Sequence, residues 1–396
     1  MKYDIVIAGC GISGLLLGSE LASRCKLLLL ERKRTVPRNK YWLTNNRSAE
    51  NSPDLQGCID RTYSYLDFVA YDNTKVRVHG KYHLWNTDRL IDHLTNKIEA
   101  AKTQILSNHT FHSYHYGKGN IVIHTNEKEI SAKLLIDCMG YGSPIITAKD
   151  VVRIIGYFLM CGRSFRATGN IDPIGLHNLM IQDKPTYFEA FPTSEGLVHT
   201  AMIVPARRAS SLKELGRDFN YVVRKTQYAS MLEEVKDSPR NFFGIIPVGE
   251  VNKYSLNRLF FYGEAGQINP ATSATGLTRM LYTYEETARF LLDRVRTEKL
   301  DKRSLNPSHI PYMSKTNRFF QEALFRKLLK FNSDDFRGLV EEMGRYNDSL
   351  VNDMIFADFR LGMSHVSSIA MQTFLEPRGI LGRCVLESIL KLGKLL

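Results

Sequence analysis

The apolar positions at the start of the chain follow the pattern of a strand, a helix and a second strand. Residues 3–8 form a short apolar run, residues 15–22 repeat apolar positions at helical spacing, and residues 26–30 form a second apolar run that ends at Glu31. A change of hydrophobic period from two to 3.6 and back is typical of a βαβ unit. The pattern therefore predicts two parallel strands joined by a helix.

A glycine motif occupies the turn between the first strand and the helix, where Gly9, Gly11 and Gly14 form a G-x-G-x-x-G frame. The first glycine permits a tight turn, the second permits close approach of a pyrophosphate, and the third lets the helix pack closely on the sheet. The helix start, with Ile12 and Ser13, would present N–H groups and a positive dipole end to phosphates. This context predicts a dinucleotide site.

The acid at the end of the second strand, Glu31, is placed to accept hydrogen bonds from the ribose of a bound adenosine. An acid at this position disfavours the 2′-phosphate of NADP. The motif alone does not separate FAD from NAD, but its position and the rest of the chain favour FAD. A basic loop over residues 32–47, which begins with Arg32 and contains Trp42, would cover the adenosine, reach the flavin, or form an ordinary surface connection.

Alternating and helical patterns continue along the chain, and turn residues separate them. Arg89 lies in the first turn of one predicted helix, where it would reach a cofactor phosphate or form a surface ion pair. The predicted elements are hairpins in 60–82, a helix in 83–101, strands in 111–137, strands of a second sheet in 151–164 and 187–205, a helix in 210–235, a strand in 257–262, a helix in 277–297 and helices from 305 onward.

A second glycine-containing segment follows the strand over 257–262. It begins with Gly263, Glu264 and Ala265, and Gly276 precedes the next helix. Backbone N–H groups at the start of that helix would hold the polar side of a flavin or its phosphate. The alternative is a buried crossover connection.

The composition and net charge of the chain limit the classes of binding partner that we predict. The 396 residues carry 53 Lys+Arg against 41 Asp+Glu, a net charge of +12, and 43% of them are hydrophobic. A basic surplus is typical of proteins that bind nucleic acid, anionic lipid or an anionic ligand, but it also arises from a solvated basic surface. Because no nucleic-acid motif accompanies the charge, we predict no nucleic-acid partner and favour a lipid surface or a ligand.

Cysteine usage and hydropathy predict the compartment. The six cysteines are scattered and form no C-x-x-C pair, which is typical of a reduced, cytoplasmic chain without a disulfide framework or a metal site. No signal peptide and no apolar run of about 18 residues is present, so no membrane span is predicted. The basic amphipathic stretch over 380–396 would lie on a membrane surface or pack on the protein's own core.

The N-terminal motif and the late Gly-Glu-Ala-Gly segment together resemble the FAD-dependent family of glutathione-reductase-like fold, which includes aromatic hydroxylases, geranylgeranyl reductases and lycopene cyclases. The resemblance covers nearly the whole chain in the same order and is greatest to the lycopene cyclase branch. The stretches that carry it are 135–141 (LIDCMGY), 156–157 (GY), 185–192 (PTYFEAFP), 246–249 (IPVG), 262–270 (YGEAGQINP) with Gly276, and 318–320 (RFF).

The resemblance implies an α/β fold with a Rossmann-type FAD-binding domain, a second β-sheet substrate domain and a helical C-terminal region. The expected division is 1–155 and 251–300 for the FAD-binding domain, 156–250 for the substrate domain and 301–396 for the helical region. It also implies a bound FAD, with Glu31 on the ribose and Gly263, Glu264 and Ala265 near the phosphates and ribityl chain. Glu264 stands where the family usually has Asp, so its reach differs.

Two departures bear on the reaction. Lycopene cyclases carry an acidic patch where this chain has residues 197–202 (LVHTAM), and residues 138–140 (CMG) replace the Asp-Gly element of the aromatic hydroxylases. The W-x-W-x-I-P segment of flavin halogenases is also absent. By position in the segment that matches the family's substrate sheet, the candidate proton donors or acceptors are His199, Glu189 and Tyr187, each of which is alternatively an ordinary residue of the sheet.

The sequence thus predicts an FAD-dependent oxidoreductase that exchanges hydride with a hydrophobic, isoprenoid or lipid-like substrate. Its expected partners are that small molecule, an electron donor such as a reduced nicotinamide or a redox protein, and a membrane surface met peripherally. The alternatives are a non-redox cyclase or isomerase that uses reduced FAD, a flavin monooxygenase, and a flavin-binding subunit without catalysis.

Overall fold

The computed structural model describes residues 2–179, 186–209, 211–225, 227–235, 241–307, 315–356 and 379–393. The strands are β1 (Lys2–Ala8), β2 (Leu27–Leu30), β3 (Trp42–Asn45), β4 (Ile59–Val69), β5 (Lys75–Trp85), β6 (Gln104–Leu106), β7 (Phe111–Gly117), β8 (Asn120–Thr125), β9 (Glu129–Asp137), β10 (Val152–Ala167), β11 (Ile174–Asn178), β12 (Tyr187–Pro192), β13 (Leu197–Ala206), β14 (Leu232–Glu234), β15 (Asn241–Val251), β16 (Ser255–Leu256) and β17 (Leu259–Phe261). The helices are α1 (Ile12–Leu21), α2 (Asn46–Glu50), α3 (Thr87–Ala100), α4 (Ile145–Ala148), α5 (Leu212–Lys225), α6 (Gly276–Arg296), α7 (Lys315–Leu328), α8 (Ser333–Met343), α9 (Asp348–Phe356) and α10 (Ile380–Gly393).

The first sheet is built on a parallel core. Within the described residues it has eight strands in the order β16-β17-β9-β1-β2-β6, with β8 beside β9 and β7 beside β8. β1 lies in parallel between β2 and β9, and all four residues of β2 are buried. Strands buried on both faces are apolar throughout, which explains the continuous run in β2. The predicted βαβ unit is confirmed as β1, α1 and β2.

The second sheet contains nine strands in the described part of the chain, in the order β14-β10-β13-β12-β11-β4-β5-β3, with β15 beside β10. The predicted division assigned residues 42–85 to the FAD-binding part, whereas β3, β4 and β5 hydrogen-bond within this second sheet. Periodicity predicts a strand but carries no information about which sheet the strand joins. β16 and β17, which lie in the predicted return segment 251–300, pair in the first sheet through β9.

Two of the predicted helices have different bounds. The helix predicted over 83–101 begins at Thr87, because the Asn86 side chain accepts a hydrogen bond from the Arg89 N–H at 3.0 Å and caps it. The residues before Asn86 complete β5. The helix predicted over 210–235 ends at Lys225, and a short strand, β14, follows.

The C-terminal helices cover one face of the second sheet. Phe320, Leu324 and Phe325 on α7 are buried there, and the Phe325 ring contacts that of Phe158 on β10, with centroids 5.0 Å apart. Helix α10 packs against α7 and α8 and buries Leu381. Ile380, Leu381 and Cys384 at the start of the basic C-terminal stretch are thus buried against the protein, whereas Leu390 is exposed. No helix within the described residues is long and apolar enough to cross a membrane.

Glu342 on α8 anchors the start of α10. Its buried carboxyl accepts the backbone N–H groups of Leu381, at 3.1 Å, and Gly382, at 3.4 Å. These are N–H groups that a helix start leaves without intrahelical partners. The Glu342 carboxyl thus links the first turn of the C-terminal helix to α8.

We expect Glu342→Ala to destabilise the C-terminal region, because the N–H groups of Leu381 and Gly382 lose their buried acceptor. The expected loss is about 1–3 kcal/mol of unfolding free energy, with earlier proteolytic cleavage near α10. Glu341→Ala is the matched control, since the adjacent Glu341 is half-exposed and its contact is to Arg337. Equal unfolding curves and cleavage patterns for the two variants would contradict the prediction.

Candidate functional site

The carboxyl end of β1 forms a cradle that admits few side chains. Gly9 adopts φ +100°, and a Cβ there would lie 2.6 Å from the carbonyl oxygen of Cys138. A Cβ at Gly14 would lie 2.0 Å from the carbonyl oxygen of Gly9, so this glycine fixes α1 against β1. A Cβ at Gly11 would meet nothing within 4 Å. Gly9 and Gly14 are thus required by packing, whereas Gly11 leaves space.

The start of α1 faces that space with no acidic residue in its own first turn. Gly11 is its N-cap residue and provides no side-chain cap, and the first turn contains no acidic residue. Its first N–H groups, including those of Ile12 and Ser13, are left by geometry without intrahelical acceptors. Helix starts of this kind favour phosphate groups.

Glu31 closes one side of the cradle. It is buried, and its two carboxylate oxygens accept the backbone N–H groups of Cys10 at 3.0 Å and Lys33 at 2.9 Å. These bonds fix the carboxylate at the end of β2, beside the glycine turn. Each oxygen retains a further lone pair for a hydroxyl donor such as a ribose.

A cleft of about 420 Å³ opens from this cradle, within the size range of ligand sites. Seven of the predicted cofactor residues share its wall: Gly9, Gly11, Ile12, Ser13, Glu31, Arg32 and Glu264. Further lining residues come from the loop after β2, from the end of β9 and from β15: Lys33, Pro37, Asn39, Lys40, Trp42, Cys138, Met139, Gly140, Tyr141, Gly142, Phe243, Gly244 and Ile245.

The second glycine-containing loop packs against the first. Gly263 has φ +67°, and a Cβ there would lie 2.5 Å from the Ser13 Cβ. Glu264 reaches the cleft, where its Oε1 lies 2.8 Å from the Lys40 Nζ. Ala265 is buried in the core, and a Cβ at Gly276 would collide with the Asn269 side chain at 1.8 Å. Ala265 and Gly276 therefore support the loop rather than line the cleft.

Arg89 lies apart from the cleft lining. Its guanidinium is 3.4 Å from the Gly57 carbonyl oxygen and 3.5 Å from an Asp60 carboxylate oxygen. The capped start of α3 directs this side chain toward the segment before β4. Of the two alternatives for Arg89, the surface ion pair is the one present in this structure.

The three candidate proton-transfer residues lie on neighbouring strands of the second sheet. Tyr187, Glu189 and Phe191 are two residues apart along β12, so their side chains share one face. The pairing with β13 sets His199 opposite Phe191 on that face. The Tyr41 Oη donates a hydrogen bond to the Glu189 Oε2 at 3.0 Å. The sheet therefore brings all three candidates to one region, together with a tyrosine from the loop after β2.

Aromatic rings surround this carboxyl. The Tyr41 ring stacks on His199 at a centroid distance of 5.8 Å and meets Phe242 edge-on at 4.9 Å. It also contacts Phe191 at 5.7 Å. Burial in these surroundings raises the pKa of Glu189 to about 8 and lowers that of His199 to about 4. At neutral pH Glu189 is therefore mostly a neutral acid and His199 a neutral imidazole.

His199 has its own partner, since its Nδ1 lies 2.9 Å from the Ser164 Oγ. Burial raises the pKa of Tyr187 well above its ordinary value, so this residue remains a neutral phenol. Glu189 is thus the candidate whose protonation changes closest to neutral pH.

Sequence reasoning missed Lys40 and Tyr41, although both lie in the basic loop that it singled out. It also gave no role to Asp137, the acid that ends β9. The Asp137 carboxylate accepts the Met139 N–H at 3.0 Å and the Ser143 hydroxyl at 2.5 Å, so it shapes the 138–143 wall of the cleft. Burial raises its pKa to about 6. An acid before a glycine loop was the available signal.

Comparison with known proteins agrees with this geometry. Residues 4–170 match the family model described as lycopene cyclase protein. The predicted resemblance is confirmed. The fold is that of FAD-binding flavoproteins. A search of curated proteins finds no match.

Solved structures share this flavoprotein fold over nearly the whole chain. A geranylgeranyl bacteriochlorophyll reductase-like protein from Thermoplasma acidophilum aligns with a TM-score of 0.72 at 12% identity, covering 96% of this chain and 98% of that one. A flavoprotein/dehydrogenase from Cytophaga hutchinsonii aligns with a TM-score of 0.64 at 14% identity, covering 100% of both chains. The halogenase PltM, in complex with phloroglucinol and FAD, aligns with a TM-score of 0.63 at 12% identity, covering 98% and 96%.

The raised pKa of Glu189 predicts a pH dependence of stability. The folded state holds this proton up to about pH 8, whereas the unfolded chain releases it near the ordinary value of 4.5. The stability that the proton contributes is therefore lost as pH rises through about 8, with a slope of up to about 1.4 kcal/mol per pH unit.

Urea unfolding from about pH 6.5 to about pH 9 checks this, since His199, with its pKa near 4, does not titrate in that window. Wild type should lose stability across the window relative to Glu189→Gln, which carries no titrating proton. Parallel pH profiles for the two proteins would contradict a raised pKa at Glu189.

Proposed function

We propose that this chain binds FAD in the cleft between its two glycine-containing loops. The single observation that carries the proposal is the cradle at the end of β1, where Gly9 and Gly14 pack without room for a Cβ while Gly11 opens on the uncapped start of α1. Such an arrangement suits a pyrophosphate. The flavoprotein fold, which the FAD-containing PltM structure shares, supports FAD as the dinucleotide.

The proposed contacts follow from the lining of the cleft. N–H groups at the start of α1, with Arg32, would hold the pyrophosphate, and the fixed Glu31 carboxylate would hold the ribose. The loop that begins at Gly263 would bind the ribityl chain through Glu264, which Lys40 orients. Ala265, Gly276 and Gly14 would contribute by packing.

The proposed reaction is a flavin-dependent oxidation or reduction of a hydrophobic, isoprenoid or lipid-like molecule. Bound FAD would supply hydride exchange with a substrate C–C bond. The chain would contribute an apolar surface next to the cofactor cleft, supported by the aromatic face of Tyr41, Phe191 and Phe242. Glu189, His199 and Tyr187 are the proposed proton-transfer candidates on that face. A reductant, either a reduced nicotinamide or a redox protein, would supply the electrons.

One observation favours a second candidate function, a redox-neutral cyclase or isomerase. A carboxyl that is neutral at pH 7, as Glu189 is here, is a suitable acid for protonating an alkene, and aromatic rings stabilise cations. The family match of residues 4–170 also supports this candidate. The two functions differ in their need for a reductant. A reductase consumes one equivalent per product, whereas a cyclase consumes none.

If the cradle binds FAD, substitution of Gly11 should weaken FAD binding, whereas substitution of Gly14 should lower stability. Gly11→Ala should fold normally, because nothing lies within 4 Å of the added Cβ, but it should bind FAD at least about tenfold more weakly, a loss of about 1.4 kcal/mol, by occupying cofactor space. Gly14→Ala should lose about 1–3 kcal/mol of stability through overpacking. Thermal unfolding of the apoprotein and fluorescence titration with FAD measure the two effects. Unchanged FAD affinity in Gly11→Ala would sink the proposed binding mode.

Anaerobic spectroscopy tests the reaction. The protein is loaded with FAD, the flavin is reduced, and a panel of isoprenoid lipids is added while the visible flavin band is followed. We expect flavin reoxidation coupled to a product two hydrogens heavier, with the Gly11→Ala protein as the cofactor-poor control. A product of unchanged mass with the flavin still reduced would favour the cyclase, and incorporation of labelled oxygen after admission of air would favour a monooxygenase. A protein that takes up no FAD would exclude all of these functions.

A further inference from the structure

The Glu189 side chain lies in apolar surroundings but is still partly accessible to solvent. Its residue is neither fully buried nor exposed, and yet its surroundings are apolar enough to raise its pKa to about 8. Part of this residue therefore remains accessible, although its carboxyl lies beside aromatic rings. His199, on the neighbouring strand, has the same intermediate accessibility. The two residues thus share partial access within the cluster formed with Tyr41 and Phe242.

Tyr41 is the hydrogen-bond partner found for this carboxyl among the described residues, and it engages Oε2 alone. The other oxygen, Oε1, is left to carry the proton. When the acid gives up its proton, the Tyr41 hydroxyl stabilises the carboxylate by a charge-assisted hydrogen bond. Tyr41 also stands between Lys40 and Trp42, which line the cofactor cleft. Consecutive residues of one loop thus line the cleft and bind the acid.

The other titratable groups of the cluster do not compete with Glu189 near neutrality. They are Tyr41 on the loop, Tyr187 on β12, His199 on β13 and Tyr63 on β4. Burial raises the pKa of each of the three tyrosines far above neutrality, and it lowers the pKa of His199 to about 4. Because desolvation disfavours every charged form, the carboxyl keeps its proton while the imidazole loses its own.

We infer that Glu189 is the proton donor to the substrate and that Tyr41 is the residue that positions it. The inference deepens and rests on the proposed function. In the step, the O–H bond of Glu189 breaks and a C–H bond forms at one carbon of a substrate double bond. The electron pair left on oxygen makes a carboxylate, and solvent water later restores its proton. The hydride that completes the reduction, with its two electrons, comes from the reduced flavin.

The first arm of the test measures the acid without any turnover. Difference infrared spectroscopy of the resting protein across neutral pH should show a carboxylic acid band that titrates near pH 8 and is absent in Glu189→Gln. Tyr41→Phe retains the ring but removes a hydrogen bond that lowers this pKa, so the band should persist to higher pH. Glu195→Gln, which alters an exposed carboxyl in the β12–β13 turn, should leave the band unchanged. Absence of a Glu189 band overturns the inference.

The second arm measures lipid-dependent reoxidation of the reduced flavin. Glu189→Gln should slow it by about 10²- to 10⁴-fold, while FAD affinity and reduction of the flavin by dithionite stay as in wild type. Product formed in D₂O should carry two deuterium atoms, one from the Glu189 carboxyl and one from the flavin, whose N5 hydrogen exchanges with solvent. In Tyr41→Phe the fall of the rate at high pH should move upward together with the infrared band, which a purely structural role would not produce.

The outcomes separate the inference from the proposed function. Reoxidation at the wild-type rate in Glu189→Gln overturns the inference and leaves the proposed function standing. A wild type that reoxidises with none of the lipids counts against the proposed function, and the infrared arm then decides whether Glu189 is the acid of this cluster.

Discussion

The structure depends on the close approach of three backbone segments at the carboxyl end of β1. Gly9 turns there against the carbonyl of Cys138, and Gly14 brings α1 onto the carbonyl of Gly9, at distances that exclude a Cβ. This contact fixes the direction of α1, so that its uncapped start faces the cleft. It also places the Cys10 N–H within 3.0 Å of Glu31, which holds that carboxylate still. The charge and the shape of the cleft therefore follow from one packing constraint.

Two consecutive residues of the loop after β2 connect this cleft to the second sheet. Lys40 bonds to Glu264 of the second glycine-containing loop, and Tyr41 bonds to Glu189 of β12. The neighbouring side chains thus reach two carboxyl groups in different parts of the fold. A shift of the loop would disturb both bonds together, since no residue separates them. One loop therefore contacts both the cofactor cleft and the acid of β12, so the identity of its residues affects both.

The sequence predicts local contacts better than distant ones. The strand, glycine motif, helix and acid of the first 31 residues are specified by spacing alone, and the structure reproduces them. The membership of β4 and β5 in the second sheet depends on pairing with β11, about which periodicity is silent. Tyr41 and Glu189 are 148 positions apart, so no motif could join them. Arg89 was assigned by its place in a helix turn, whereas the cap at Asn86 sets its direction.

The register of β12 and β13 resolves an apparent absence in the sequence. The segment 197–202 carries no acid, so the sequence alone makes His199 a candidate for the proton donor. The strand pairing, however, sets Glu189 directly opposite Ala201, so the neighbouring strand supplies a carboxyl on the same face. Apolar surroundings disfavour both charged forms, the carboxylate of Glu189 and the imidazolium of His199. The pKa of the acid therefore rises, whereas the pKa of the imidazole falls. The same burial that disqualifies His199 as an acid at neutral pH is what keeps Glu189 protonated.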